Sequence, residues 1–421
     1  MLNKIRVKNF KSWSDSGELQ IAPLTAFFGS NSSGKTSLLQ MLLLLKQTAE
    51  SRDNNLVLKT RWDRDDYLNL GTLPELIHFQ ESSLKFEIEW NLLTQIPLVD
   101  FPSADAISHL SFSTEIVADK QQKRNYVQHI EYRANNGFEA LMDRDNKDRY
   151  QVSVHVNGEE FPRPQGRPRK RISAPIKCYG FSSEAILYYL NGGVLNDLSY
   201  AFEQLFANVY HLGPLREYPQ RSYSWAGEEP SDVGLRGENA VHALLARGKQ
   251  RPYKTSSSIT LERRIAKWLG EMGLVASFRT EQISDTSPDY RVLVKRSSKS
   301  TEVPITDIGF GISQVLPVLV LCYYAPQGST IVLEQPEIHL HPAVQTILAD
   351  VFIDVVQRRD IQLIIESHSE YLLRRLQRRI AEKMLDVNST SFYFCENENG
   401  VSHIQNLDVD IFGNIRNWPK D

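Results

Sequence analysis

Hydrophobic and polar residues follow two different spacings along this chain, and each spacing predicts a different kind of element. At both ends of the chain, short apolar runs precede longer segments with helical spacing. The predicted elements there are strands at 5–7, 19–21, 24–28, 330–333 and 362–365, and helices at 35–47, 343–357 and 370–385. Because strands that alternate with helices form parallel sheets, the two ends predict an α/β fold.

The middle of the chain has a different pattern. From about residue 84 to residue 156, apolar and polar residues alternate with period two, which predicts an inserted antiparallel β subdomain. An exposed loop rich in Arg and Pro follows at 161–171, then a helical stretch at 182–207 and an ordered functional loop at 212–237. The resulting division of the chain is 1–83 for the amino-terminal lobe, 84–180 for the insertion, 181–300 for a helical region with the loop, and 301–421 for the carboxyl-terminal lobe.

Composition narrows the class of protein without naming a function. The 421 residues include 48 Lys and Arg against 51 Asp and Glu, so a polyanion would have to bind a local patch. Cys178, Cys322 and Cys395 are far apart in sequence, which predicts neither a disulfide framework nor a zinc site and favours a reducing cytoplasm. The longest apolar runs are too short to cross a membrane, and we expect no membrane partner.

One glycine-rich segment carries a specific chemical signal. Residues 29–36, Gly-Ser-Asn-Ser-Ser-Gly-Lys-Thr, match the phosphate-loop pattern and lie between a predicted strand and a predicted helix. Glycines let the backbone amide groups face an anion, the helix dipole adds positive potential, and Lys35 reaches the outer phosphates. Thr36 is the expected Mg²⁺ ligand. The expected nucleotide-binding residues are Gly29, Asn31, Ser32, Ser33, Gly34, Lys35, Thr36 and Ser37.

A nucleotide site also needs an acid for the metal ion. The strand at 330–333 ends at Glu334, which we expect to hold the Mg²⁺ shell through water. The predicted cofactors are therefore ATP and Mg²⁺.

Taken together, the motifs resemble those of ABC-type ATPases of the SMC, RecF and OLD kind, especially stand-alone bacterial AAA-like members found in anti-phage systems. The resemblance rests on five motifs that occur in the family's order. They are Asn9-Phe10-Lys11-Ser12, the loop at 29–37, the block at 307–314, the acid-containing segment at 334–342, and Glu366-Ser-His368-Ser369. Through the first motif, the resemblance adds Lys11 to the expected cofactor-binding residues.

The resemblance implies a head-to-head homodimer with ATP between the subunits. In this family a signature segment reaches the nucleotide held by the partner's phosphate loop, and residues 310–314, Phe-Gly-Ile-Ser-Gln, occupy that place. Gly311, Ser313 and Gln314 are the expected contacts. His368 follows a predicted strand where the family has a histidine that senses the γ-phosphate, which makes it an expected catalytic residue beside Lys35.

One departure from the common family form concerns the rate of hydrolysis. Members with that form have a glutamate directly after the metal-holding acid, whereas this chain has Gln335, which cannot accept a proton. We therefore expect slow turnover, with Gln335 orienting the attacking water and Glu337 or His368 supplying the base.

The resemblance also implies an effector protein that reads the ATP state, in a role in anti-phage defence. DNA is a second candidate partner, because arginines cluster in two places. These are Arg163, Arg167, Arg169, Lys170 and Arg171 in the loop, and Arg374, Arg375, Arg378 and Arg379 on a predicted helix. The usual interpretation of such charges is a solvated surface.

Other functions are also compatible with parts of the sequence. Metal-dependent nuclease chemistry would use carboxyl-terminal acids, namely Glu396, Glu398, Asp408 and Asp410, although the 30 residues after Ser391 are too few for the separate nuclease domain of OLD proteins. An ATP-binding scaffold without hydrolysis is a further alternative. A phosphate-loop kinase or GTPase would need an acceptor pocket or an Asn-Lys-x-Asp motif, and the sequence contains neither.

Overall fold

A computed structural model describes residues 1–61, 66–79, 81–99, 101, 104–119, 124–164, 171–247, 259–309 and 311–419. These residues form two compact units, and the chain passes between the units several times. The first unit contains Met1–Ile21, Ser30–Val209 and Cys395–Ile404. The second contains Ala22–Gly29, Tyr210–Phe394 and the residues from Gln405 onward.

The first unit is built on an antiparallel sheet. Its strands are Leu2–Phe10, Trp13–Asp15, Leu19–Gln20, Ser83–Ile96, Ile107–Asp119, Arg124–Ala134, Phe138–Arg144, Tyr150–Val156 and Glu159–Glu160. From Ser83 to Glu160 each strand pairs with the next along the chain, which confirms the predicted antiparallel region. Ile5 lies opposite Ile88, so this region extends the sheet formed by the amino-terminal strands.

Helices cover one face of that sheet. The helices of the first unit are Lys35–Glu50, Leu73–Leu76, Ser183–Ile186 and Gly193–Ala207. Phe202, from the last of them, packs against Phe112 of the sheet with ring centroids 4.9 Å apart. The predicted helical stretch at 182–207 is interrupted between Ile186 and Gly193. At this break Gly192 packs against the carbonyl of Ile186, where a Cβ atom would lie 1.9 Å from the oxygen.

The second unit contains the predicted parallel sheet. Strand Thr330–Glu334 pairs in parallel with Gln362–Glu366, which pairs in parallel with Leu24–Gly29. Val209–Leu212 borders the first of these strands, and Thr390–Glu398 followed by Val401–Asn406 continues the sheet beyond Leu24–Gly29. Every residue of the strands Thr330–Glu334 and Gln362–Glu366 is buried, as expected for strands of a parallel sheet that is covered on both faces.

Helices and a small antiparallel sheet complete the second unit. The helices are Ala240–Arg247, Leu261–Glu271, Gly311–Tyr324, Pro342–Arg359 and Glu370–Ala381, with short 3₁₀ turns at Ile305–Asp307 and Val387–Ser389. The strands of the small sheet are Tyr223–Ser224, Ser277–Gln282, Asp289–Lys295 and Val303–Pro304. Most of this sheet lies in the segment for which the sequence predicted a helical region, and its strand Asp289–Lys295 has three consecutive apolar residues instead of an alternating pattern.

One helix of the second unit is buried in the core, and another is shorter than the sequence predicted. Gly311–Tyr324 is buried along nearly its whole length and forms the centre of the core. Glu370–Ala381 ends four residues earlier than predicted, and Lys383 adopts a positive φ of 58°, which stops the helix. Among the described residues, no helix is long and apolar enough to cross a membrane.

Candidate functional site

The phosphate loop, residues 29–36, turns from strand Leu24–Gly29 into helix Lys35–Glu50. Ser32 and Gly34 have positive φ angles of 61° and 94°, which curl the backbone at this turn. Gly34 caps the helix without a side-chain hydrogen bond, and the first turn has no acidic residue. The first amide groups of a helix have no partner inside the helix, so this end is suited to bind an anion.

The amine of Lys35 is held by the loop itself. Its Nζ atom donates to the carbonyl oxygen of Ser30 at 2.6 Å and to Oγ of Ser33 at 3.2 Å. Lys35 is only 2% exposed, whereas Asn31 and Ser32 at the tip of the loop are exposed. An incoming phosphate would therefore replace contacts that the amine makes with neutral oxygens, and Thr36 and Ser37 stand beside it in the first helical turn.

Gly34 is required by close packing as well as by its backbone angle. The indole nitrogen of Trp13 donates to the Gly34 carbonyl at 3.0 Å, and a Cβ atom on Gly34 would lie 2.3 Å from Oγ of Ser402. Both neighbours belong to the first unit. No side chain larger than hydrogen fits here without movement of Ser402 or of the loop.

Lys11 lies in the turn between the first two strands of the first unit. It has a positive φ of 53°, and its Nζ donates to Oε1 of Gln40, in the helix that follows the phosphate loop. Burial lowers the pKa of Lys11. The structure thus brings this amine to the helix of the phosphate loop, and its contact with a nucleotide stays a prediction.

Glu334 is the last residue of its strand and is 8% exposed. It lies in register with Glu366 of the neighbouring parallel strand, and Glu366 lies in register with Phe27, two residues before the end of strand Leu24–Gly29. Since the carboxyl ends of these parallel strands share one edge, Glu334 stands at the edge from which the phosphate loop departs.

A histidine not predicted from the sequence orients Glu334. Nε2 of His211 lies 2.8 Å from Oε1 of Glu334, and the histidine is 4% exposed. His211 belongs to strand Val209–Leu212, which borders the strand of Glu334. The available signal was a polar residue inside an otherwise apolar strand.

After Glu334 the chain makes a tight turn, residues 334–337, here called the acid turn. Gln335 has a positive φ of 43°, and its amide donates to the carbonyl of Glu366 at 2.8 Å. Glu337 is 7% exposed and accepts a hydrogen bond at Oε1 from the backbone amide of His368 at 2.7 Å. Its Oε2 atom is buried and has no hydrogen-bond partner among the described residues, and burial raises the pKa of Glu337.

His368 approaches the acid turn through its backbone, and its side chain is exposed. The next residue, Ser369, caps helix Glu370–Ala381 by accepting a hydrogen bond from Leu372. The imidazole of His368 is therefore placed at the end of the strand Gln362–Glu366, where the sequence predicted it. Its role as a γ-phosphate sensor stays a prediction.

Arg216 lies buried beside the same turn, with 8% of its surface exposed. Its Nη2 atom is 3.5 Å from the carbonyl oxygen of Glu334, and its Nε and Nη1 atoms have no partner among the described residues. Burial lowers the pKa of Arg216 to about 10, although Glu334 and Glu337 act in the opposite direction. The sequence analysis gave no role to this arginine.

The expected signature segment starts the central helix of the second unit. Helix Gly311–Tyr324 begins at Gly311, Ser313 is 7% exposed and Gln314 is 3% exposed. Phe310 lies outside the described residues. Because Ser313 and Gln314 are largely buried, this segment does not present their side chains at its surface, and its contact with a nucleotide stays a prediction.

All but one of the described arginines proposed as a DNA-binding surface pair with an acidic side chain. Arg375 and Arg379 both bind Asp350, at 2.6 Å and 2.7 Å. Arg374 binds Glu370, Arg378 binds Glu382 and Arg163 binds Glu160. Arg171 donates to the carbonyl of Asp148, and the remaining candidates, Arg167, Arg169 and Lys170, lie outside the described residues. The pairing favours a structural role for the arginines of helix Glu370–Ala381.

Carboxyl-terminal acids of the nuclease alternative also have local partners. Asp408 lies 3.7 Å from Arg416, and Asp410 accepts amide hydrogen bonds from Phe412 and Asn414 that shape a turn. Among the described residues, no group of three or more His, Cys, Asp or Glu side chains is arranged to hold a metal ion. Mg²⁺ keeps several water ligands and binds few carboxylates, so Glu334 and the Thr36 hydroxyl are suitable donors for it.

The phosphate loop and the strand that leads into it are features of ATPase domains of the phosphate-loop class. A family model described as "AAA ATPase domain" matches residues 1–160, and one described as "AAA domain, putative AbiEii toxin, Type IV TA system" matches residues 176–374. The two models together match most of the chain, which confirms the expected AAA-like ATPase family. No curated protein matches the sequence.

Among solved structures, three SMC head domains align over nearly the whole chain. The SMC head bound to the C-terminal winged-helix domain of ScpA has a TM-score of 0.47 at 12% identity, covering 97% of this chain and 98% of its own. The Thermotoga maritima SMC head domain has a TM-score of 0.43 at 11% identity, covering 97% and 99%. The Pyrococcus furiosus SMC head with the C-terminal domain of ScpA has a TM-score of 0.44 at 11% identity, covering 96% of both chains. The family assignment rests on the two family models.

Proposed function

We propose that this chain is a slow ATPase switch that closes a head-to-head homodimer around ATP and Mg²⁺ and signals closure to a partner effector. The observation that carries the proposal is the burial of the Lys35 amine and its hydrogen bonds within the phosphate loop. Its amine is buried in a phosphate loop, at an uncapped helix end, and is bonded to neutral loop oxygens. A triphosphate would offer this cation oxygens of opposite charge, and the stronger charge-assisted contacts favour binding.

Glu334 and Thr36 are the proposed Mg²⁺ ligands, with Glu334 acting through water. The hydrogen bond to His211 fixes the orientation of the Glu334 carboxylate, as partners of metal-binding residues commonly do. The bound metal would neutralise charge on the phosphates during transfer. Asn31, Ser32, Ser33, Gly34 and Ser37 complete the proposed phosphate site together with Gly29 and Lys11.

The proposed dimer contact is the start of helix Gly311–Tyr324. Its first amide groups point out of the helix end, where they can donate to the γ-phosphate held by the other copy. Ser313 is largely buried, so its side chain contributes to this contact only after a local rearrangement of the first turn. Gln314 is buried more deeply and would support the turn from within.

Slow hydrolysis follows from the acid turn. Gln335 orients the attacking water through its carboxamide but cannot take the proton, and Glu337 is the proposed base. Glu337 has one oxygen fixed by the amide of His368, which leaves the other to accept the proton. The long-lived ATP state that results is suited to signalling.

For the partner, we propose an effector protein encoded alongside this chain, in a system of bacterial anti-phage defence. The family model that matches residues 176–374 has a description that includes a toxin of a type IV toxin and antitoxin system, which supports an arrangement of paired proteins. The neutralised arginines of helix Glu370–Ala381 make that helix a weaker candidate for DNA binding.

The decisive experiment measures particle mass with and without ATP and Mg²⁺. We expect a nucleotide-dependent increase from monomer to dimer for the native chain and none for Lys35→Ala. Lys267→Ala is a matched control, because Lys267 is 63% exposed and pairs with Glu271 in its own helix. Dimers that form equally well without nucleotide, or with Lys35→Ala, would contradict the proposed switch.

A further inference from the structure

Charge in the buried part of the acid turn is unbalanced. Glu334 and Glu337 are buried carboxylates, with 8% and 7% of their surface exposed. Among the described residues of the second unit, Arg216 is the one buried Lys or Arg. Since a buried charge is costly unless an opposite charge compensates it, the location of this cation decides which acid stays ionised.

Contacts in the turn identify which acid that is. Glu334 already has His211 at 2.8 Å from its carboxylate, and Arg216 reaches only the main-chain oxygen of Glu334, at 3.5 Å. Glu337 has a buried Oε2 without a partner, and Arg216 has two buried nitrogens without a partner. The unmatched donors and the unmatched acceptor therefore lie on these two residues. Against the larger effect of burial, their charges also act on each other, because Arg216 lowers the pKa of Glu337 and Glu337 raises the pKa of Arg216.

We propose that Arg216 is a positioning residue for ATP hydrolysis, the internal counter-cation that keeps Glu337 ionised and aimed as the base. This inference rests on the proposed function, in which Glu337 takes the proton of the attacking water. Arg216 itself touches neither ATP nor water in this scheme. It acts through Glu337.

In the proposed step, water hydrolyses ATP and Glu337 accepts the proton. The water oxygen forms a bond to the γ-phosphorus while its proton passes to Oε2 of Glu337, and the bond between the γ-phosphorus and the β,γ-bridging oxygen breaks. ADP leaves with that oxygen, and Glu337 returns its proton to solvent after product release. A nearby positive charge stabilises the carboxylate and not the neutral acid, so it favours the form of Glu337 that can accept a proton.

A pH profile separates this role from a merely structural one. In Arg216→Met, the loss of the cation favours protonated Glu337, so the acidic limb of kcat should move to higher pH by about one unit or more. At neutral pH we expect kcat to fall about 100-fold, in the range of losing a general base. Arg216→Lys keeps the charge and should keep the acidic limb near its native position.

The matched control is Arg358→Met. Arg358 is 74% exposed and pairs with Asp354 in its own helix, outside every proposed site. We expect native kcat and a native pH profile for this variant. An acidic limb at the same pH in Arg216→Met and in the native chain would overturn the inference.

A double-mutant cycle with Glu337→Gln gives a second, independent test. If Arg216 acts through Glu337, then Arg216→Met should change single-turnover kcat by no more than about twofold in a Glu337→Gln background. An equal loss in both backgrounds would contradict the inference. Should Arg216→Met fold poorly, Arg216→Gln carries the same cycle, because it also removes the positive charge.

The two proposals fail in different ways. Native turnover in Glu337→Gln would refute Glu337 as the base and with it the proposed mechanism. A large loss in Glu337→Gln, combined with a native pH profile in Arg216→Met, would leave the proposed mechanism standing and remove only the role of Arg216.

Discussion

The phosphate loop and the acid turn both contain buried charged groups, but the partners of these groups are near in sequence in the loop and distant in the turn. In the phosphate loop, the cation of Lys35 binds the Ser30 carbonyl and the Ser33 hydroxyl, all within six residues of chain. In the acid turn, Glu334 and Glu337 depend on His211, Arg216 and the amide of His368, which are distant in sequence.

This difference separates binding from catalysis. A loop whose cation is bonded to oxygens of the same loop is suited to bind phosphate and is recognisable as a short motif. A turn whose charges are balanced by distant residues can have its reactivity adjusted without a change in the motif. We therefore expect changes in the loop to affect nucleotide binding, and changes around the acid turn to affect turnover, metal use and pH dependence.

Among the variants that test this difference between the two regions, Glu337→Gln has the largest expected effect on turnover. Turnover should fall about 100-fold or more because the base is lost, while ATP binding should remain near native. Single-turnover hydrolysis and equilibrium binding of a fluorescent ATP analogue measure the two quantities separately. A parallel loss of binding and turnover would show that the acid turn is not confined to catalysis.

The same variant has a stability signature whose sign follows from the raised pKa of Glu337. Burial makes the folded protein hold this proton at pH values where the unfolded chain has lost it. Stability from this group is therefore present at low pH and lost as pH rises from 4.5 through the raised pKa. Glu337→Gln should be more stable than the native chain at pH 7, with a smaller difference at pH 4 in thermal unfolding. No change in the difference with pH would contradict the buried carboxylate.

Gln335→Glu should move the acid turn toward the common family form. A carboxylate directly after Glu334 can accept the proton of water, so we expect kcat to rise by about tenfold, below the full range of a well-placed base. Steady-state phosphate release measures the rate. An unchanged or lower rate would indicate that the backbone at Gln335, with its φ of 43°, does not aim the side chain at the water.

His211→Ala should weaken the use of Mg²⁺. Removal of a residue that orients a metal-binding acid commonly costs about 10-fold in metal affinity. The Mg²⁺ concentration for half-maximal ATPase activity should rise by that factor, while ATP binding without metal should stay native. His403→Ala, at an exposed position of the first unit, is the control. Equal Mg²⁺ requirements in both variants would remove His211 from the metal site.

The smallest expected effect concerns the packing of the phosphate loop. Gly34→Ala forces a Cβ atom into Oγ of Ser402 at a positive φ of 94°, whereas Gly17→Ala meets open space at a positive φ of 65°. Both variants carry backbone strain of about 1 kcal/mol, and Gly34→Ala should lose more through the clash. Chemical denaturation measures the difference. Equal losses would mean that Ser402 moves aside freely.

Much of the fold was predictable because it depends on local spacing. The order of apolar residues predicts the strand and the helix on either side of the phosphate loop. It also predicts the buried strands of the second unit and the alternating strands of the first. The small sheet around Asp289–Lys295 was not predicted, because Val292, Leu293 and Val294 are consecutive apolar residues that do not alternate with polar ones. The break near Gly192 was missed because it depends on the contact with Ile186.

By itself, the sequence determined the phosphate loop, the acid that ends the strand at Glu334 and the glutamine that follows it, since each is set by neighbours in the chain. Only the tertiary structure decided that His211 holds Glu334, that Arg216 lies buried beside the Glu334 carbonyl and that Arg375 and Arg379 share Asp350. The reason is physical. Backbone conformation and strand order depend on short-range spacing, whereas the balance of buried charge depends on which distant residues the fold brings into contact.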